Sequence, residues 1–71
     1  MSLGLFAAIV VELERMWPEA ASVDRLASYA AVSQADVRAM LLDIRAQGRC
    51  RLIKQFDQIT AAVWLPEAPC A

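Results

Sequence analysis

Apolar residues recur at helical spacing from Leu3 to Trp17. Laid out at about 100° per residue, Phe6, Ile9, Val10, Leu13, Met16 and Trp17 share one side, with Leu3 and Leu5 at its margins. The stripe spans roughly 160°, against the ~100° usual for a surface helix. Glu12, Glu14 and Arg15 face elsewhere, with Val11 among them. Pro18 ends the helix, because proline disfavours helical backbone in the residue before it.

Glu19 to Ser22 reads as a connector. Ser22 is placed to cap a second helix, Val23 to Tyr29 or Ala30, with Leu26 and Ala27 or Ala30 turned inward. Ala31 and Val32 turn the chain, and Ser33 opens a third helix. Its hydroxyl is expected to accept from the amide of Asp36, whose carboxylate suits the positive first turn. Over residues 34–48, Val37, Met40, Leu41, Ile44 and Gly48 gather on the inward side, and Gly48 suits a left-handed stop. The outward half carries Ala35, Ala39, Leu42 and Ala46, flanked by Gln34, Arg38 and Arg45 on one side and Asp36, Asp43 and Gln47 on the other.

After Gly48 the pattern becomes extended. CRLIKQF and ITAAVWL are rich in strand-forming residues and are separated by Asp57 and Gln58, which predicts a hairpin. Neither Asn-Gly nor Asp-Gly marks the turn, which leaves room for a loop longer than two residues. Pro66 and Pro69 bracket a tail, residues 66–71, expected to be poorly ordered. The expected fold class is therefore α+β: one domain over residues 1–65, with three helices followed by a two-stranded β-hairpin.

That outline resembles the winged helix-turn-helix transcription regulators of bacteria. The resemblance lies in the spacing Leu26-Ala27, Val32-Ser33, Val37-Arg38, Leu41, Ile44 and Gly48, with an extended pair after it. It covers roughly Val23 to Leu65, and more loosely the first helix. It implies that Gln34, Ala35, Arg38, Ala39 and Leu42 face the major groove, that Ser33 meets a phosphate, and that the hairpin is a wing on the DNA backbone. Gln34 would then suit adenine and Arg38 guanine by bidentate contacts, and the alanines thymine methyls.

Charge bears on that expectation. The chain has seven basic and eight acidic residues, net −1. Between Arg38 and Lys54, however, five cations (Arg38, Arg45, Arg49, Arg51, Lys54) face one acid, Asp43. The remaining Arg15 and Arg25 stand against seven acids. Screening confines exposed charges to about 8–10 Å, so the local excess is what a phosphate would meet. The DNA-contact candidates are thus Ser33, Gln34, Arg38, Arg45, Arg49, Arg51 and Lys54. A few cations make a weak, salt-sensitive binder, which a dimer would double.

At 71 residues only one modest core is possible. Hydrophobic residues make up 59% of the chain, against a usual ~45–50%, so the surface either shows apolar patches or hides them by self-association. A homodimer is expected through whichever of Leu3, Leu5, Ile9 and Met16 the core leaves uncovered, whereas Trp17 and Trp64 are expected at least partly inside. The alternative to DNA is a protein-interaction adaptor, contacting a partner through the Ala35/Ala39/Leu42/Ala46 ridge or the first helix.

Histidine is absent and the two cysteines are Cys50 and Cys70, so common metal-ligand spacings cannot be written and histidine catalysis is excluded. Cys50 reads as a buried strand residue. Glu12, Glu14, Glu19, Asp24 and Asp36 fall at helix faces or caps without a nucleophile or second acid at a recognisable spacing. No enzyme activity, cofactor or small-molecule substrate is expected. The apolar start lacks a basic leader and reaches Glu12 too soon for a secretory signal or a membrane span. A cytoplasmic protein is expected.

Overall fold

The computed structural model describes residues 3–66, in the order α1 (Leu3–Met16), β1 (Ala21–Ser22), α2 (Val23–Ala30), α3 (Gln34–Ala46), β2 (Cys50–Gln55) and β3 (Gln58–Trp64). The fold is α+β, with three helices against a three-stranded antiparallel sheet in the order β1-β3-β2. The tail 67–71, with Cys70, lies outside the described residues, as does the Leu3 side chain. No helix among the described residues is long and apolar enough to cross a membrane.

Both helix caps form as expected. Ser22 Oγ accepts from the amide of Arg25 at 3.0 Å, and Ser33 Oγ from that of Asp36 at 3.1 Å. Each satisfies an amide that a helix start leaves without an intrahelical partner. Gly48, at φ +74°, takes the left-handed stop. The other helix end is less usual: Ala31 closes α2 at φ 59°, a backbone region where its Cβ is crowded.

The sheet differs from a simple hairpin in two ways. Ala21 and Ser22 are not only a connector; they pair with Ala62 and Ala61, adding a third strand and covering one edge of β3. Two residues carry no recognisable alternation, so the strand is defined by its partner rather than by its own pattern. The turn is also shorter than allowed for. Gln55 pairs with Gln58 around Phe56 and Asp57 alone. Their φ values, 52° and 64°, are those of the tight mirror-image turn that matches strand twist.

The core lies between the helices and the inner sheet face: Ile9 and Leu13 of α1, Val23 and Leu26 of α2, Val37, Leu41 and Ile44 of α3, and Cys50, Ile59, Ala62 and Trp64 of the hairpin. Ile9 is completely covered, so it cannot belong to a dimer face, while Leu5 and Met16 are half-buried against the core. Phe6 and Val10 are likewise half-buried against the core, so Trp17 is the one large apolar side chain of the stripe left exposed among the described residues. Trp17 is half exposed and Trp64 is buried.

Glu12 also departs from expectation. Its side chain retains only 1% exposure, because α1 packs against α2 as well as the sheet and the buried arc extends past the apolar stripe. Arg15 grips both carboxylate oxygens, Nε to Oε1 at 3.0 Å and Nη2 to Oε2 at 2.8 Å, while Arg25 Nε from α2 donates to Oε2 at 2.9 Å. These bonds compensate the desolvation of a charge that would otherwise be costly to bury. They hold the Glu12 carboxyl below its ordinary range, the Arg15 bonds first and Arg25 next.

Candidate nucleic-acid interface

Three buried residues, Val37, Leu41 and Ile44, fix the rotation of α3. They leave Ala35, Ala39, Leu42 and Ala46 exposed along the opposite side, with Leu42 at 51% exposure. The flank bearing Gln34, Arg38 and Arg45 turns toward the hairpin, as the Arg38 contact demonstrates. Arg38 Nε donates to the carbonyl oxygen of Ile59 at 3.0 Å.

That carbonyl sits at an irregularity in the ladder. Pairing passes from Ile53↔Ala61 to Lys54↔Ile59, so Thr60 is the extra residue of a bulge. A bulge disrupts the local ladder and bends the strand. Arg38 supplies a partner for the carbonyl beside it and ties the second turn of α3 to the outer half of the hairpin. Lys54 is thereby brought to the same end of the molecule, across the ladder from Ile59.

Gln34 is also engaged. Its Nε2 donates to Asp24 Oδ1 at 3.2 Å, and its Oε1 accepts from Arg38 Nη2 at 3.4 Å. The two side chains expected to read bases are therefore linked to the scaffold and to each other. Arg38 retains donors beyond the Nε used on Ile59, whereas Gln34 must exchange partners before it can make a bidentate contact with adenine.

The other cations lie toward the opposite end. Arg45 is two turns beyond Arg38 on the same flank, roughly 10 Å along the axis at 1.5 Å per residue. Arg49 follows the helix stop, its carbonyl accepting from the amide of Leu65 at 2.9 Å at the hairpin base. Arg51 alternates with Cys50 and Leu52, whose side chains face the core, and so belongs to the outer sheet face, away from α3. The seven expected contacts thus divide. Ser33, Gln34, Arg38 and Lys54 meet at one end, Arg45 and Arg49 at the other, and Arg51 leaves the α3 side.

Ion pairing separates the cations in the same way. Among the described residues, Arg15 and Arg25 form salt bridges, both with Glu12. Arg38, Arg45, Arg49, Arg51 and Lys54 form none among those residues. All but Arg38 are exposed, and Arg38 is half-buried.

Cys50 has the structural role expected of it. It is buried, its thiol lies 3.9 Å from the carbonyl oxygen of Leu41, and burial pushes its pKa up, with nearby Arg45 acting in the opposite sense. A suppressed thiolate is a poor nucleophile and a poor metal ligand.

The residue that the sequence pattern did not single out is Phe56. It occupies the hairpin tip with its side chain fully exposed and its backbone left-handed. Its one available signal is negative: a bulky aromatic in a two-residue turn where Asn or Gly is favoured. No protein-family model, curated protein or solved structure matches the chain.

Proposed function

We propose that the chain is a small, non-enzymatic DNA-binding domain of the winged helix-turn-helix kind, acting in transcription regulation with α3 in the major groove and the hairpin as its wing. The observation that carries this reading is the segregation of cations. The two arginines remote from α3 and the hairpin are bound to a buried carboxylate, while the five from Arg38 to Lys54 have no carboxylate partner among the described residues. Unpaired, accessible cations can replace the counterions of a phosphate backbone, and they position a protein without specifying sequence. Element order supports the same assignment, with a short strand between α1 and α2 completing the sheet beside the wing.

In this reading Lys54, Arg45 and Arg49 contact phosphates, with Ser33 at the start of α3. The free donors of Arg38 face the groove edge. The ridge of Ala35, Ala39 and Leu42 supplies apolar contact to thymine methyls, so base selection rests on few hydrogen bonds. Titration of a 20-base-pair duplex at low salt, followed by amide shifts, tests the assignment. Shifts confined to α3 and the hairpin are expected; unmoved signals at Gln34, Arg38 and Lys54 would remove it.

Self-association belongs to the same proposal. Half-buried Leu5, Phe6, Val10 and Met16, with half-exposed Trp17, give α1 an incompletely covered apolar surface. A homodimer packed there would shield apolar surface and double the cationic patch. Sedimentation equilibrium should then show a concentration-dependent dimer that Val10→Glu dissociates. A second reading, a winged helix adaptor for another protein, is favoured by exposed Leu42 within the Ala35/Ala39/Ala46 ridge. It would be preferred if the duplex left α3 unmoved while Leu42→Glu abolished association with a second polypeptide.

A further inference from the structure

The hairpin tip breaks a local rule, and among the described residues no contact of its side chain offsets it. A mirror-image two-residue turn needs positive φ at both central positions, which Asn-Gly meets most easily. Here the first position holds Phe56, at φ 52°, and its side chain is fully exposed. For a bulky residue this backbone region is an outlier, and an aromatic ring in water forfeits the burial that stabilises it elsewhere. Two unfavourable choices at one position, neither used by the fold, mark a residue kept for something outside the fold.

Its surroundings indicate what that is. Lys54 lies two residues before Phe56 and opposite Ile59, whose carbonyl is held by Arg38. The ring therefore projects from the end of the molecule where two cations without carboxylate partners meet the start of the candidate reading helix. Gln55 and Gln58 flank it as an exposed, paired rung of neutral hydrogen-bonding side chains. Asp57, also exposed, carries a charge that phosphate repels, so attraction to the backbone does not by itself draw the tip inward.

We propose that Phe56 is an apolar wedge: the ring enters the minor groove beside the α3 contact and partly unstacks one base step. This rests on the DNA-binding reading above. Apolar side chains used in this way kink the duplex, and an aromatic ring gains stacking on a base face regardless of base identity. Flexible pyrimidine–purine steps unstack most easily, so the wedge would favour sites with a TA or CA step near the α3 contact without reading any base by hydrogen bonds. Gln55 and Gln58 are placed to bond groove-edge acceptors once the ring is seated. Asp57 limits the contact, and its neutralisation should strengthen it.

The test uses the full chain and a low-salt duplex with TA steps, 2-aminopurine beside them and an end label. Wild type should bind and raise 2-aminopurine emission as the step unstacks. Phe56→Ala should bind about tenfold more weakly and lose that rise, as should Phe56→Asn, which relieves the turn and should melt no lower than wild type. Asp57→Asn should tighten binding a few-fold. If wild type binds and Phe56→Ala matches it within twofold with the same emission, the wedge is wrong, and the exposed ring then serves a partner other than DNA. If wild type does not bind duplex at all, the DNA-binding reading fails and the wedge fails with it.

Discussion

Arg38 of α3 donates from Nε to the carbonyl oxygen of Ile59 in β3 at 3.0 Å, across 21 residues of chain. The helix and the bulged strand are thereby fastened where the ladder is weakest. A residue expected to be free for a base is thus also a structural link. Arg38→Ala should lower stability by about 1–2 kcal/mol, since a charged donor is lost from a partly buried carbonyl. Urea denaturation would measure the loss, and amide exchange should quicken around Ile59 and Lys54. Unchanged exchange there would show that the bulge holds without this bond.

Glu12 makes stability depend on acid. Its folded-state carboxyl titrates below the ordinary value, so the unfolded chain takes up the proton first as pH falls. The stabilisation is therefore complete above the ordinary carboxylate range and is lost as pH falls through the depressed pKa. Glu12→Gln should melt several degrees lower at pH 7, and the difference from wild type should shrink toward pH 3. Melting curves of both proteins across that range would check the sign; parallel curves would contradict it.

Ala31 offers a stabilising substitution. At φ 59° it ends α2 in a conformation suited to glycine. Ala31→Gly should raise stability by roughly 0.5–1 kcal/mol, the relief of Cβ crowding outweighing the added freedom of the unfolded chain. Thermal melting would measure it, and a fall in Tm would mean that the Ala31 methyl makes a compensating contact.

The division of cations predicts unequal effects on the proposed DNA binding. Lys54→Gln and Arg45→Gln should each reduce the slope of log affinity against log salt by about one. Arg51→Gln, on the outer sheet face, should leave it nearly unchanged. Fluorescence anisotropy between 20 and 200 mM salt, on the order of the usual working range, would separate them. Equal effects from all three would mean that DNA approaches from the edge of β2 rather than across α3.

What could be read from the chain is what depends on near neighbours. Ser22 and Ser33 cap the helices that follow them by bonding amides three residues on, Gly48 stops one, and Val37, Leu41 and Ile44 mark a buried face by spacing alone. What could not be read depends on distant partners. Glu12 is buried because α1 packs on α2, from which Arg25, 13 residues on, reaches its carboxylate. Ala21 and Ser22 become a strand because Ala61 and Ala62 lie beside them. Arg38 is drawn to a carbonyl whose position is set by a bulge, a change of register that local alternation does not announce. Five of the six expected DNA-contacting residues named for charge or helix flank remain on the α3 side, and Arg51 departs because strand alternation turns it over.

The sheet order has a consequence for handling the protein. β1 covers one side of β3, but β2 is the last strand of the order and its outer backbone groups have no neighbouring strand among the described residues. Two copies meeting antiparallel along that edge would bring Arg51 and Lys54 of each toward like charges on the other. In dilute buffer this repulsion guards the edge. Concentrated salt screens it, so the brine often used to strip nucleic acid from proteins during purification would promote edge-to-edge pairing of two copies of this one.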